Sequence, residues 1–343
     1  MNTWFKTILA STLDRIGLLA ALRSMRASSQ GIVLTFHRVL KDAETSRCYD
    51  SHLVMSESVF EGLLGLLRTE FEVVPLDQLV RHPAAGHSRQ QRVAITFDDG
   101  WEDTYSVAFP LLLRYEIPAT VFVCSGLLNE DLPCPMLPEE RFARIWERCS
   151  TTGQLPLLLE DLRKWGVAAA PAPQRREWST RLKQMSLHTR LLLFTHLEDT
   201  YQPLQPRTRQ LMNWDEARIM ARNNMTIGSH TVGHCTLSSE QDATVFDELC
   251  RSRAEILKQV GVDAQLLAYP NGGYNSRVVM IARAAGFTHA FTAETGLFNQ
   301  RTDPFLIPRI AMEDTVVANR PPVLNAPRTR LYLQALSRRV ASC

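Results

Sequence analysis

The chain has 343 residues, of which 45% are hydrophobic, so it is long enough for one large α/β domain or two ordinary ones. Its formal net charge is only +2, and no lysine- and arginine-rich face interleaved with aromatic residues is visible, which argues against a nucleic-acid partner. The seven cysteines form no Cys-x-x-Cys pair, which suits a reducing compartment and argues against a zinc ribbon.

The first 30 residues have the pattern of an amphipathic helix. Apolar residues such as Leu9, Leu13 and Ile16 recur at helical spacing, and basic residues outnumber the single acid, Asp14. The charges near Asp14 interrupt the apolar stretch too early for an export signal, and no run of 18 apolar residues indicates a membrane span. We expect residues 1–30 either to pack on the domain or to lie on an anionic membrane surface.

Short β-rich segments alternate with helical patterns along most of the chain. The eight candidate strands are residues 31–37, 71–76, 92–98, 119–124, 225–230, 266–270, 289–294 and 305–310. One of the helical patterns, residues 276–285, is bounded by a capping Asn275 and by Gly286. This alternation is typical of a parallel (β/α) barrel, distorted or incomplete. We expect the barrel over residues 31–315 and a basic tail over residues 316–343.

The alternation breaks between the fourth and the fifth candidate strand. Residues 128–211 are rich in leucine, arginine and proline and contain patches such as "RFARIWERC" that suit amphipathic helices. In a barrel, a segment that follows a strand leaves from the face on which the strand-to-helix loops form active sites. We expect residues 128–211 to be a helical insertion that covers this face, with a small separate domain as the alternative.

Titratable side chains are concentrated where candidate strands end. His37 closes the first strand, and Asp98 and Asp99 close the third. His230 closes the fifth, and His234 follows in "SHTVGH". Any one of them alone is more often a hydrogen-bonded structural residue. Together, two histidines and one carboxylate suit Zn²⁺ or a similar divalent ion, which leaves the second carboxylate free to act as a base.

The motifs "TFDDG", "SHTVGH" and "YPNGGYN", in this order, resemble those of the polysaccharide deacetylases, the NodB-homology superfamily or carbohydrate esterase family 4. The resemblance implies a NodB-type distorted (β/α) barrel. It also implies a metal-dependent hydrolase that removes N-acetyl groups from amino sugars of a polysaccharide, an oligosaccharide or a lipid-linked glycan precursor. The alternatives are a deformylase or other C–N amide hydrolase acting on a sugar-lipid, and a catalytically inactive glycan-binding protein.

The resemblance implies a role for each matching residue. Asp98 would be the general base that takes a proton from the attacking water. The divalent metal, with zinc as the first candidate, would be held by Asp99, His230 and His234. The backbone N–H of Asn271, in the "YPNGG" loop, would stabilise the oxyanion.

The sequence departs from the family pattern in two places. Many members take the general acid from a late Leu-x-His motif, which this chain lacks after residue 290. The family branch with a "YHRI"-type first strand points to His37 instead, across one intervening strand from the third. The third family motif supplies an Arg that orients the catalytic Asp, and this chain has "AYPNG" there. We expect Arg309 to supply that guanidinium to Asp98, with a rim salt bridge as the alternative.

The partner expected from these features is an N-acetylated sugar. The cysteine usage favours a cytoplasmic protein, and the basic, amphipathic termini suit contact with the surface of the inner membrane. No feature of the sequence indicates an oligomeric state.

Overall fold

The computed structural model describes residues 3–27, 29–48, 50–84, 90–128, 135–168, 174–203, 206, 208–319 and 322–335. The strands in these ranges are β1 (Ile32–Phe36), β2 (Arg38–Leu40), β3 (Val54–Ser56), β4 (Glu72–Val73), β5 (Arg92–Phe97), β6 (Ala119–Val123), β7 (Met225–Ser229), β8 (Leu266–Ala268), β9 (His289–Thr295) and β10 (Ile307–Ala311).

The α-helices of the same ranges fall into two sets, those of the barrel with the termini and those of the insertion. The first set is α1 (Thr3–Arg15), α2 (Leu18–Ala27), α3 (Glu57–Glu70), α4 (Leu76–Arg81), α5 (Phe109–Arg114), α10 (Trp214–Arg222), α11 (Asp242–Val260), α12 (Ser276–Ala284), α13 (Asp314–Val317) and α14 (Ala326–Ala335). The insertion has α6 (Pro138–Thr151), α7 (Leu155–Lys164), α8 (Arg175–Leu182) and α9 (Leu187–Tyr201).

Seven parallel strands close into a ring in the order β1, β10, β9, β8, β7, β6, β5. The ring closes where β5 pairs with β1 over five consecutive residues, from Ile32 beside Val93 to Phe36 beside Phe97. Because all of these strands run in the same direction, their carboxyl ends share one face of the barrel. The expected parallel (β/α) barrel is therefore confirmed.

The second candidate strand, residues 71–76, is shorter than expected. It is reduced to β4, which pairs with Arg92 and Val93 at the beginning of β5. The backbone N–H groups of Glu72 and Val74 donate to carbonyl groups at the start of β5, and α4 begins directly after Pro75, so the chain leaves the sheet there. Val93 pairs with Val73 on one side and with Ile32 on the other, so β4 and β1 lie on opposite edges of β5. β1 and β5 are direct neighbours, and the expectation of a strand between the first and the third candidate strands is wrong.

Strand alternation separates two packed layers. On β5, Val93 and Ile95 pack outward against the helices, whereas Ala94 belongs to the cluster inside the barrel. Inside, Phe122 of β6 packs against Phe291 of β9 with ring centroids 5.5 Å apart. The interior is thus filled by side chains and is not an open channel.

The insertion has its own hydrophobic core. Phe142 of α6, Trp178 of α8 and Phe194 of α9 are buried in it, and Arg141 forms an ion pair with Glu198 that ties α6 to α9. The described part of residues 128–211 therefore contains the helices that the sequence predicts.

The N-terminal segment forms two helices where one was expected. The break falls at Gly17, whose φ of 72° is in the left-handed region that favours glycine. α1 lies against α14, and Arg330 of α14 forms ion pairs with Asp14 and with Glu70 of α3, at 2.6 Å each. Both ends of the described chain therefore pack on the domain, α14 lying within the segment expected as a basic tail. Residues 336–343 of that segment lie outside the described ranges.

Three further observations concern single features. α12 begins after Asn275, whose side chain accepts a hydrogen bond from the backbone N–H of Val278, as the sequence predicts. Among the described helices, none combines the length and the apolar character that crossing a membrane requires. The described cysteines are free thiols, and Cys134 and Cys343 lie outside the described ranges.

Candidate active site

The period of two along a strand decides which residues reach the barrel mouth from inside. Ala94 of β5 is part of the interior cluster, so Asp98, four residues further on, continues the same row past the end of the strand. Ile307 of β10 is also an interior residue, and Arg309 follows it in that row. Two strands that are not neighbours thus direct a carboxylate and a guanidinium to the same place.

One cavity of about 270 Å³ lies at this mouth. Its lining includes all seven residues that the sequence singled out, which are His37, Asp98, Asp99, His230, His234, Asn271 and Arg309. The insertion contributes Leu137, Glu139 and Lys183 to the same lining, so it covers part of the face on which the strands end.

Asp98 and Arg309 form a buried bidentate ion pair. Both guanidinium N–H groups donate to the carboxylate, each over 2.7 Å, and the two side chains are only 4% and 3% exposed. The guanidinium is itself fixed, because its Nε–H donates to the carbonyl oxygen of Thr292 at 3.1 Å. Burial alone would raise the pKa of Asp98, but Arg309 outweighs it and the pKa lies below its usual value. Asp98 is therefore held as a carboxylate.

Asp99 turns away from its neighbour and faces the two histidines. Its φ of 76° marks a tight turn directly after β5. Oδ2 accepts a hydrogen bond from the indole N–H of Trp101 at 2.9 Å. Oδ1 lies 3.3 Å from Nε2 of His230 and 3.3 Å from Nε2 of His234. Oδ1 is buried and has no hydrogen-bond partner among the described residues.

The hydrogen bonds of the two Nδ1 atoms explain why neither neutral ring donates to this oxygen. Nδ1 of His230 is 2.8 Å from the carbonyl oxygen of Ala268, and Nδ1 of His234 is 2.9 Å from Oε2 of Glu139. Both partners are acceptors, so each Nδ1 carries a proton, and each ring in its neutral form presents an Nε2 lone pair to Asp99.

This donor set fits a divalent cation. The carboxylate oxygen and the two ring nitrogens lie within 4.8 Å of one another, and zinc is commonly bound by such nitrogen and oxygen ligands. The surroundings are negatively charged. Burial would lower the pKa of His234, but the carboxylates of Glu139 and Asp99 have the larger effect and raise this pKa to about 9. Without a cation, this raised pKa keeps a proton on Nε2 of His234; a bound cation would replace that proton and contact the buried Asp99 oxygen and both Nε2 atoms.

The loop that carries the histidines is held by a residue that no motif predicted. Oε2 of Glu248, on α11, accepts hydrogen bonds from the backbone N–H groups of Val232 at 2.9 Å and Gly233 at 3.0 Å. The loop includes residues in the left-handed region, among them His234 with a φ of 58°. A single glutamate inside a helix gives no sequence signal for such a contact.

The sequence analysis also did not predict two other residues of the site, for different reasons. Trp101 follows "TFDDG" directly, so its position close to the site could have been inferred, although its bond to Asp99 could not. Glu139 is the second residue of α6 in the insertion, and nothing in its sequence surroundings distinguishes it from the neighbouring Glu140.

His37 and Asn271 lie where the resemblance implied, but their roles stay predictions. His37 directly follows β1, the neighbour of β5, and lines the cavity. Asn271 has a φ of 57°, and its side-chain amide donates to Glu139 and to the hydroxyl of Thr236, at 3.2 Å each.

The family model for polysaccharide deacetylases matches residues 85–169 and 180–290 of this chain, which is more than half of it. The chain belongs to the polysaccharide deacetylase family, a family of hydrolases that act on carbon–nitrogen bonds other than peptide bonds. The resemblance drawn from the three motifs is confirmed.

Individual relatives are distant in sequence. The poly-beta-1,6-N-acetyl-D-glucosamine N-deacetylase of Staphylococcus aureus is 22% identical over 261 residues, which span 76% of this chain and 68% of that protein. The structure of IcaB from Ammonifex degensii matches with a TM-score of 0.56 at 17% identity, over 89% of this chain and 97% of that one. The Streptococcus pyogenes deacetylase PplD, in complex with acetate, matches with 0.54 at 18% identity, over 84% and 94%. These structures confirm the NodB-type barrel.

Proposed function

We propose that this protein is a metal-dependent hydrolase that removes N-acetyl groups from the amino sugars of a polysaccharide or oligosaccharide. The single observation that carries the proposal is the convergence of Asp99 Oδ1 and the Nε2 atoms of His230 and His234 beside the Asp98–Arg309 pair. Family membership supports the reaction class. The name of the Staphylococcus aureus relative supports β-1,6-linked N-acetylglucosamine as the first substrate to test.

Asp98 has the properties of a general base. It is ionised, its two oxygens keep lone pairs that Arg309 does not use, and it faces the cavity next to Asp99. A divalent cation held by Asp99, His230 and His234 would polarise the acetyl carbonyl and make the attacking water more acidic. Asp98 accepts a proton from the attacking water while the water oxygen forms a bond to the carbonyl carbon.

The remaining steps need a hydrogen-bond donor that stabilises the oxyanion and a proton for the leaving amine. We assign the first to the backbone N–H of Asn271, on the loop that follows β8. We assign the second to His37, because β1 lies directly beside β5 and brings this imidazole to the same cavity as Asp98. Transfer of its proton to the sugar nitrogen as the C–N bond breaks would leave acetate and a free amine.

The test is an assay of acetate released from β-1,6-linked N-acetylglucosamine oligomers by the full chain supplied with zinc. We expect Asp98→Asn to lower kcat/KM at least about 100-fold, because it removes the base. The matched control is Glu198→Gln, which changes one ion-paired carboxylate of the insertion that lies on α9. This control should retain activity.

The same assay separates the alternatives. N-formyl oligomers are run in parallel, and a clear preference for them would replace the deacetylase proposal with a deformylase. A folded, zinc-binding protein that releases nothing from either substrate, and binds the oligomers unchanged, would be a glycan-binding protein and would overturn the proposal.

A further inference from the structure

The two imidazoles of the candidate metal site are oriented by different parts of the molecule. Nδ1 of His230 donates to the carbonyl oxygen of Ala268, which belongs to β8 of the barrel. Nδ1 of His234 donates to the carboxylate of Glu139, which belongs to the first turn of α6 in the insertion. The first contact is part of the barrel scaffold, whereas the second depends on the packing of the insertion against the barrel.

Glu139 is fixed from both of its oxygens. Oε2 is 2.9 Å from His234, and Oε1 accepts from Arg190 at 3.3 Å and from the side-chain amide of Asn271 at 3.2 Å. Only 15% of its side chain is exposed. Its carboxylate is therefore set in one position by partners from the insertion and from the loop after β8.

Arg190 of α9 strengthens the same contact. It is 1% exposed, and its second guanidinium nitrogen donates to the backbone carbonyl of His234 at 3.4 Å. Two helices of the insertion thus hold His234, one by its ring and one by its backbone. This residue has a φ of 58°, a conformation that persists only when surrounding contacts impose it.

We propose that Glu139 is a positioning residue of the metal site, so that the insertion completes this site by aiming His234 at the position shared with Asp99 and His230. A carboxylate behind a histidine ligand fixes the ring orientation and raises the basicity of the ligating nitrogen, and its loss typically costs 10–100-fold in metal affinity. The inference rests on the cation of the proposed function and not on its substrate.

The test measures zinc binding by the metal-free full chain, by competition with a chromophoric chelator. We expect the zinc dissociation constant to rise about 10–100-fold in Glu139→Ala and also to rise in Glu139→Gln, which keeps the shape but loses the charge. The control Glu198→Gln removes one charge from the Arg141 pair within the insertion and should change the dissociation constant less than about threefold.

A merely structural role predicts a different pattern. In that case the Glu139 variants lower the unfolding temperature of the metal-free protein but bind zinc like the wild type, and the proposal is overturned. If Glu139→Ala does not fold, the isosteric Glu139→Gln decides. A changed visible spectrum of the cobalt(II)-substituted variant would support reorientation of a ligand, and an unchanged one would count against it.

The outcome is independent of deacetylation. A wild-type chain that binds zinc but releases no acetate would refute the proposed function, whereas the role of Glu139 would still be decided by the dissociation constants. Conversely, if the wild type is active and the Glu139 variants bind zinc with unchanged affinity, only the present inference is refuted.

Discussion

Replacing Arg309 with leucine removes both hydrogen bonds that hold Asp98, each 2.7 Å long. Hydrogen bonds to charged groups contribute about 1.5–3 kcal/mol each, and removing one partner of a buried pair typically costs about 3–5 kcal/mol because the other charge is left unpaired. With both side chains at most 4% exposed, solvent cannot compensate for the loss. We expect Arg309→Leu to lower the free energy of unfolding by about 3–5 kcal/mol.

Two comparisons sharpen this magnitude. Arg309→Lys keeps the positive charge but not the planar fork, and should cost about half as much, roughly 1.5–3 kcal/mol. Arg251 forms a pair with Asp247 on α11 in which the side chains are 63% and 55% exposed. Arg251→Leu should therefore change the unfolding free energy by only about 0.5 kcal/mol.

The assay is urea unfolding of the metal-free full chain, combined with a double-mutant cycle that includes Asp98→Asn. If the two side chains are coupled as their geometry indicates, the double variant loses about 1–3 kcal/mol less unfolding free energy than the two single variants lose together. A loss below about 1 kcal/mol for Arg309→Leu, or strictly additive single effects, would refute the reasoning.

Three further predictions test other contacts of the site. His37→Gln should lower kcat by about 100-fold or more with little change in KM, and an unchanged kcat would exclude the general-acid role. Trp101→Phe removes the N–H that reaches Asp99 at 2.9 Å, so the zinc dissociation constant should rise about tenfold; equal affinity would contradict this. Gly126→Ala places a Cβ 2.6 Å from Cγ1 and 3.1 Å from the carbonyl oxygen of Val232, and should cost about 1–3 kcal/mol in urea unfolding. Wild-type stability of Gly126→Ala would contradict this and would mean that the loop around Val232 moves to accommodate the Cβ.

The parts of the site that the sequence predicted have local signals. Asp98, Asp99 and His230 each end a strand that is recognisable from its apolar residues, and His234 is tied to His230 by a short spacing. Parallel strands then bring these ends to one face without further information. Arg309 belongs to the same group, since the period of two along β10 places it in the interior row.

The parts that were missed depend on contacts between segments far apart in the chain. Glu139 meets His234 across 95 residues, and only the docking of the insertion brings the two together. The ring closure of β5 onto β1 likewise pairs segments that are far apart in the chain, from Ile32 beside Val93 to Phe36 beside Phe97. The cytoplasmic location and the membrane contact of the termini stay predictions.

Arg309 approaches the cavity from inside the barrel, where its guanidinium lies over the ring of Phe122, 5.8 Å from the centroid. Gly228 leaves room for that ring, since a Cβ there would lie 2.6 Å from it. The same interior side chains therefore support both the packing of the barrel and the position of Asp98 through Arg309. A change in the size of Phe122 would therefore reach further than the barrel core, because it would also shift the guanidinium that holds Asp98.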